Sequence, residues 1–268
     1  MNGGFPDWAG FTAATATQEL PGLLDAAEKA VAAVEAAAPE TYEGFVWALG
    51  DATRALWRRW GMVAHMAAVM NSDDWRGVEA SFQPKLVAFS LRVGQSRRLY
   101  DIAKGLLARL SSAPGGGDPT RVRILSKAVE AAELAGVGLD GAQKARFNEI
   151  QASLAKLGSD FRNAVVDATA AFKLEKDGKT YTIDDADYPE TMKHCADRAV
   201  REALCRARAT RAPENAPRID EILALRREMA ALLGFADYAA LSLSSKCAPG
   251  VAAVREMVIC TKKVVKFG

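Results

Sequence analysis

Histidine is scarce in this chain: two occur in 268 residues, His65 and His194. A helix that binds catalytic zinc carries H-E-x-x-H, which sets two imidazoles one turn apart with the glutamate beside the metal-bound water. His65 is followed by Met66 and meets Val69 four residues on; His194 is followed by Cys195 and meets Arg198. Neither opens such a helix, so the sequence assigns no catalytic residue and no metal ligand. Cysteine is sparse as well. Cys195, Cys205, Cys247 and Cys260 form no C-x-x-C pair, which reads as reduced thiols in a reducing compartment, not as a disulfide framework. No apolar run approaches the roughly 18 residues that a membrane span needs. The first 28 residues hold no Lys or Arg, which argues against a secretory signal or an arginine-rich transit peptide. An excess of charge is also missing. With a net charge of +2 and 25% charged residues, no basic face is expected and nucleic acid is excluded as a partner. The two arginine clusters, Arg54-Arg58-Arg59 and Arg198-Arg201-Arg206-Arg208-Arg211, fall at helical spacing and read as solvated helix faces.

What is present is helix-forming sequence. Half of the residues are hydrophobic, many of them alanine, and the length suffices for a substantial core. The fold class expected is all-α, mostly antiparallel helices, in a single helical domain over residues 1–268. A first helix spans 19–38, closed by Pro39, and Thr41 caps the next. Ser72 caps a third, which Pro84 kinks or divides before the stretch 86–110. Pro114-Gly115-Gly116-Gly117 is a flexible break, and Asp118-Pro119 supplies a cap and a first-turn proline for a helix ending near Gly136. Asp140-x-x-Gln143 has the form of a capping box. Phe147, Ile150, Leu154, Leu157, Phe161 and Val165 then recur in steps of three and four, one seam on a helix about 45 Å long. Pairing it antiparallel with 121–134 gives a long helical hairpin at 118–172. Residues 173–183 break the pattern: Leu174, Tyr181 and Ile183 flank Asp177-Gly178, the dipeptide of a type I′ turn, so a small β-hairpin is expected. Helix resumes after Asp187 and Pro189 and runs to about Thr210.

The stretch 219–246 is the most informative. Ile222, Leu225, Met229 and Leu232 share one helix face. Gly234 stands where a left-handed residue ends a helix, and Phe235 can fold back onto the last turn. Asp237 is placed to cap a second helix carrying Tyr238, Leu241 and Leu243. Other short motifs fail on inspection. Gly178-Lys179-Thr180 resembles the end of a phosphate loop, but the first glycine would fall on Lys173. Gly94-Gln95-Ser96-Arg97-Arg98 lacks the second glycine of a nucleophile elbow. Asp184, Asp185 and Asp187 read as a polar turn with a cap, not as a calcium loop. His194, Cys195, Asp197 and Cys205 match no ligand spacing, and His65 reads as a partly buried structural residue.

The block 219–246 closely resembles one in the thimet oligopeptidase / oligopeptidase A family of zinc metallopeptidases. Further blocks are similar in the same order: Trp60-Gly61-Met62-Val63 with His65 and Asn71-Ser72; Gly94-Gln95-Ser96-Arg97 with Leu99-Tyr100; Gly136-Val137-Gly138-Leu139 with Lys144-Ala145-Arg146-Phe147, Asn163 and Asp167-Ala168-Thr169; then Tyr188-Pro189 and Met192, Arg198, Arg201-Glu202 and Thr210-Arg211-Ala212. The resemblance covers about residues 55 to 248. It departs between Phe172 and Tyr188, where the family has a longer insert. It implies the family's amino-terminal helical half, which forms one wall of a deep substrate channel in relatives. The H-E-x-x-H and third-ligand glutamate would follow beyond it, so no family catalytic or metal residue carries over, and the substrate-contacting residues stay unassigned.

The resemblance thus implies part of a zinc metalloendopeptidase that degrades short peptides, inactive by itself and binding no zinc. Residues 249–268 are expected to be a truncated or altered end. A non-catalytic helical module that binds a peptide or protein, and self-associates through exposed apolar surface, is the alternative. Location is expected to be cytoplasmic, with an organelle open because relatives of the family also occur there.

Overall fold

The computed structural model describes residues 6–113 and 117–265, and the side chains of these up to residue 259. The expected break at Pro114-Gly115-Gly116 lies outside the described residues.

Helix α1 (Ala13–Ala37) begins two turns before the apolar pattern does, because Thr12 and Thr15 form a reciprocal capping box. A π-helical turn (Glu43–Trp47), entered through Thr41 accepting the Gly44 N–H, leads into α2 (Ala48–Val69). Helix α3 (Asp73–Gly94) runs unbroken through Pro84, contrary to the expected division. Proline removes one N–H and orphans the carbonyl of Ala80, and both residues face solvent, where water can satisfy that oxygen. The chain divides instead at Gln95-Ser96, where Ser96 Oγ accepts the Leu99 N–H and caps α4 (Arg97–Ser111).

Asp118 caps α5 (Pro119–Leu134) as its proline-first sequence predicts. That helix ends in a Schellman motif: Gly136, at φ +84°, donates to the Glu133 carbonyl and Val137 to the Ala132 carbonyl. Helix α6 (Gly141–Ala171) follows, 31 residues long. Asp140 is its N-cap residue, but its side chain makes no capping bond, so the expected capping box does not form. The expected pairing of α5 with α6 also gives way. Leu125 and Val129 of α5 bury into the core that α4 shares, and the Gly136 turn carries α6 away to pack on α3 and on a later helix.

Strands β1 (Leu174–Lys176) and β2 (Lys179–Tyr181) pair antiparallel with Leu174 opposite Tyr181. Asp177 and Gly178 sit at φ +53° and +73°, as the type I′ turn requires. The one helix expected from 187 to 210 is two, α7 (Asp187–His194) and α8 (Arg198–Thr210). Asp197 separates them: its Oδ1 accepts the N–H groups of Ala199 and Val200 while its carboxylate also pairs with Lys176 of β1. Helix α9 (Asn215–Leu232) closes with a second Schellman motif, Gly234 (φ +78°) to Ala231 and Phe235 to Ala230. Asp237 then caps α10 (Tyr238–Ser244), and α11 (Val251–Val265) ends the described chain.

Three apolar clusters hold these elements. The first joins α1 to α5 around Leu20, Val31, Leu56, Val63 and Leu125, each 0–1% exposed. Each such leucine stabilises by about 2 kcal/mol through the water it sheds. The second joins Phe147 and Ile150 of α6 to Met229 and Ala230 of α9 and Leu241 of α10. The third, Ile183, Val200 and Leu204, seats the β-hairpin on α7 and α8.

Candidate functional site

The first and second clusters meet along α3 and α6, and this seam is polar at its ends and loosely filled in its middle. Arg76 of α3 makes a two-pronged bond to Asp167 of α6, with Nη1 to Oδ2 at 2.9 Å. Glu79 pairs with Arg162, Ser159 Oγ donates to Gln83 at 3.2 Å, and Gln95 Nε2 donates to Asn148 Oδ1 at 2.7 Å. Numbers rise along α3 as they fall along α6, so the two helices run antiparallel. The Arg76 bond holds the Asp167 carboxyl below its ordinary value and raises the Arg76 guanidinium above its own.

Between these rungs α6 presents Ala152, Ala155 and Gly158 opposite Val87. Such small side chains cannot fill the gap that the polar rungs hold open. Cavities of about 630, 510 and 440 Å³ result, and Val87 lines all three. The 630 Å³ cleft lies between α2, α3, α6 and α9, with Trp57, Leu86, Leu154 and Ile222 on its walls. Among the described residues Arg226 is the one charged side chain on its lining, and its guanidinium stacks over Tyr238 at 4.7 Å.

The residues weighed in the sequence lie elsewhere and are engaged locally. The His65 ring packs against Trp8 with centroids 5.1 Å apart, but the residue is exposed, not partly buried as expected, because it lies on the solvent side of α2. His194, at the end of α7, is exposed and 3.5 Å from Glu190. Cys195 is not on a helix beside it but in the link before α8, its thiol toward the Asp197 carbonyl at 3.8 Å. Cys205 and Cys247 are exposed, and the side chain of Cys260 lies outside the described residues. Asp184 Oδ1 accepts the N–H groups of Ala186 and Asp187, and this lowers its carboxyl below the ordinary range; the acidic run is a capping turn. Arg208 braces that turn through Asp185 at 2.6 Å and the Ile183 carbonyl at 2.7 Å. Ser96 donates to Glu35 at 2.6 Å and caps α4, a structural post. No group of three His, Cys, Asp or Glu among the described residues is placed to hold a metal ion. No helix among the described residues is long and apolar enough to cross a membrane.

Sequence reasoning missed the cleft. Its walls come from α2, α3, α6, α9 and α10 with the end of α5, and the local signal was the run of small residues on α6.

Fold and cleft together define an all-α lobe in which many polar residues serve caps, turns and interhelical rungs. Comparison with known proteins gives the lobe its kin. Residues 20–144 match the profile described as Neurolysin/Thimet oligopeptidase, N-terminal domain, and residues 191–266 match Peptidase family M3. Oligopeptidase A of Haemophilus influenzae is 32% identical over 244 residues, 78% of this chain and 35% of that protein. The organellar oligopeptidase A, chloroplastic/mitochondrial, of Arabidopsis thaliana is 30% identical over 90% of this chain and 35% of its own length. The probable cytosolic oligopeptidase A of the same plant is 32% identical over 70% of this chain and 32% of its own length. The chain therefore belongs to the thimet oligopeptidase / oligopeptidase A family, and it corresponds to the amino-terminal helical portion. It spans about a third of the length of the curated relatives it matches.

Proposed function

We propose that this chain serves peptide hydrolysis as the helical lobe of an oligopeptidase A-type enzyme, shaping access of short peptides to zinc chemistry carried by other sequence. The observation that carries this reading is the order of the two matches on one chain. The amino-terminal domain profile occupies 20–144 and the peptidase profile begins at 191, while the sequence holds no H-E-x-x-H. By itself the lobe is inactive, because hydrolysis by zinc needs three protein ligands and a carboxylate base that its two histidines do not supply. The cytosol is the proposed location.

A graft tests this. Residues 20–265 would replace the matching amino-terminal part of the Haemophilus influenzae relative, with zinc content and cleavage of a quenched short peptide read together. Cleavage that a chelator abolishes supports the reading. A soluble chimera that holds stoichiometric zinc but cleaves nothing would overturn it.

The cleft supports a second reading, a non-catalytic binding module. Exposed Ile219 and Leu223 on α9 and Met257, Val258 and Ile259 on α11 would then drive self-association. A concentration-independent monomer in size-exclusion chromatography, with no binding of a hydrophobic dye, would count against that reading.

A further inference from the structure

We infer that the 630 Å³ cleft between α2, α3, α6 and α9 is a binding site for small apolar molecules that carry one carboxylate. Three observations converge. The volume falls within the range of small-molecule sites, about 300–1,000 Å³, and the walls are mostly apolar, with Trp57, Leu86, Leu154 and Ile222 among the lining residues. Gly158 lines the cleft at a point where an added Cβ meets nothing within 4 Å, so the space is continuous with the helix surface and not a packing fault inside it. Among the described residues Arg226 is the only charge on the lining, and no carboxylate of theirs lies within 4.0 Å of it.

The last point selects the ligand. Several arginines elsewhere on this surface are matched to carboxylates, among them Arg76 to Asp167, Arg146 to Glu228 at 2.7 Å and Arg208 to Asp185 at 2.6 Å; Arg226 differs in standing as the single charge beside an apolar cleft among the described residues. Arg226 is half-buried beside an apolar cleft and stacks over the face of Tyr238, which attracts the cation while its N–H groups, with no carboxylate beside them among the described residues, stay open to solvent and to a ligand. A carboxylate entering from the cleft would accept two parallel N–H bonds from the guanidinium, and the amides of Gln83 and Gln151 add neutral donors on the same lining. The rest of the ligand then replaces water against tryptophan and leucine. Affinity should rise about fourfold for each methylene fully covered. Apolar fatty acids and peptides with an apolar carboxyl-terminal residue share this chemistry. The inference rests on the cleft alone and holds whether or not the lobe serves a peptidase.

Isothermal titration of the whole chain tests it with four probes: decanoate below its aggregation concentration, 1-decanol, acetyl-Leu-Leu-Leu as free acid, and the same peptide as amide. At least one acid should bind one per chain, tenfold or more tighter than its neutral partner. Decanoate alone, the peptide acid alone, or both would each support the site and identify its source. Arg226→Gln should erase the acid-over-neutral preference. Gly158→Leu places a side chain in the cleft while improving the helix, so it should abolish binding and raise thermal stability. The proposal is overturned if no acid binds, if acid and neutral probes bind alike, or if Gly158→Leu binds as the wild type does.

Discussion

Removing Arg162 should cost far more than removing the residue it serves. Glu79 projects from α3 beside Trp75, Val78 and Phe82, and its side chain is 7% exposed. Its carboxylate has given up most of its water in exchange for Arg162, which remains 42% exposed. Breaking a fully buried pair from one side costs about 3–5 kcal/mol, because the remaining charge is left dry. Solvent reaches the arginine end here, so screening discounts the loss to about 2 kcal/mol for Arg162→Met. Glu79→Met removes the charge together with its desolvation cost and keeps the volume, so it should fall within about 1 kcal/mol of wild type. The double variant should match Glu79→Met alone, since Arg162 freed of its partner returns to water. Urea denaturation followed by circular dichroism at 222 nm measures all three. Equal losses from the two single variants, or a double variant as unstable as Arg162→Met, would refute the claim that the dry carboxylate controls this seam.

Three further outcomes follow from the same geometry. Gly234→Ala forces a side chain into a φ of +78° and should destabilise by about 1 kcal/mol, seen as a lower urea midpoint; an unchanged midpoint would discount the Schellman motif. Asp197→Ala removes the cap of α8 and the partner of Lys176, so amide exchange at Ala199 and Val200 should quicken while exchange in α1 does not. Asp167 and Asp184 both titrate below their ordinary 3.8 in the folded chain, the first through Arg76 and the second through the Asp187 N–H. The stability they confer is complete above that value and lost as pH falls through the lower folded values. Asp167→Asn should therefore flatten the acid limb of a stability–pH profile, and a limb unchanged by it would deny the clamp a role.

Much of the fold is legible in the sequence where local chemistry decides it. Asp118-Pro119, Asp177-Gly178, Gly234-Phe235 and Asp237 each set a backbone conformation locally, by a capping side chain or by the missing Cβ of glycine, and each stands where the pattern puts it. One local signal fails, the Asp140-x-x-Gln143 capping box; the other failures came where distant residues or solvent decide. Pro84 does not break α3 because water can serve the freed carbonyl, and residues 187–210 divide because Asp197 is held by Lys176 from the hairpin. The seam on α6 is buried at Phe147 and Ile150 and only half-buried from Leu154 to Val165, and periodicity carries no address for its partner: α9 and α3 pack on it, not α5. Motif reading also showed what is missing, since an H-E-x-x-H cannot be assembled from two separated histidines. The cleft was out of reach for the opposite reason. Trp57, Val87, Gly158 and Arg226 come from four helices and become neighbours only on folding.

The central claim is that this lobe frames peptide hydrolysis without performing it. Its most direct test is the purified chain incubated with zinc, desalted, assayed for bound metal by elemental analysis, and offered a quenched fluorogenic peptide. The account predicts substoichiometric zinc and no cleavage that a chelator can remove. One zinc per chain with chelator-sensitive turnover would contradict it.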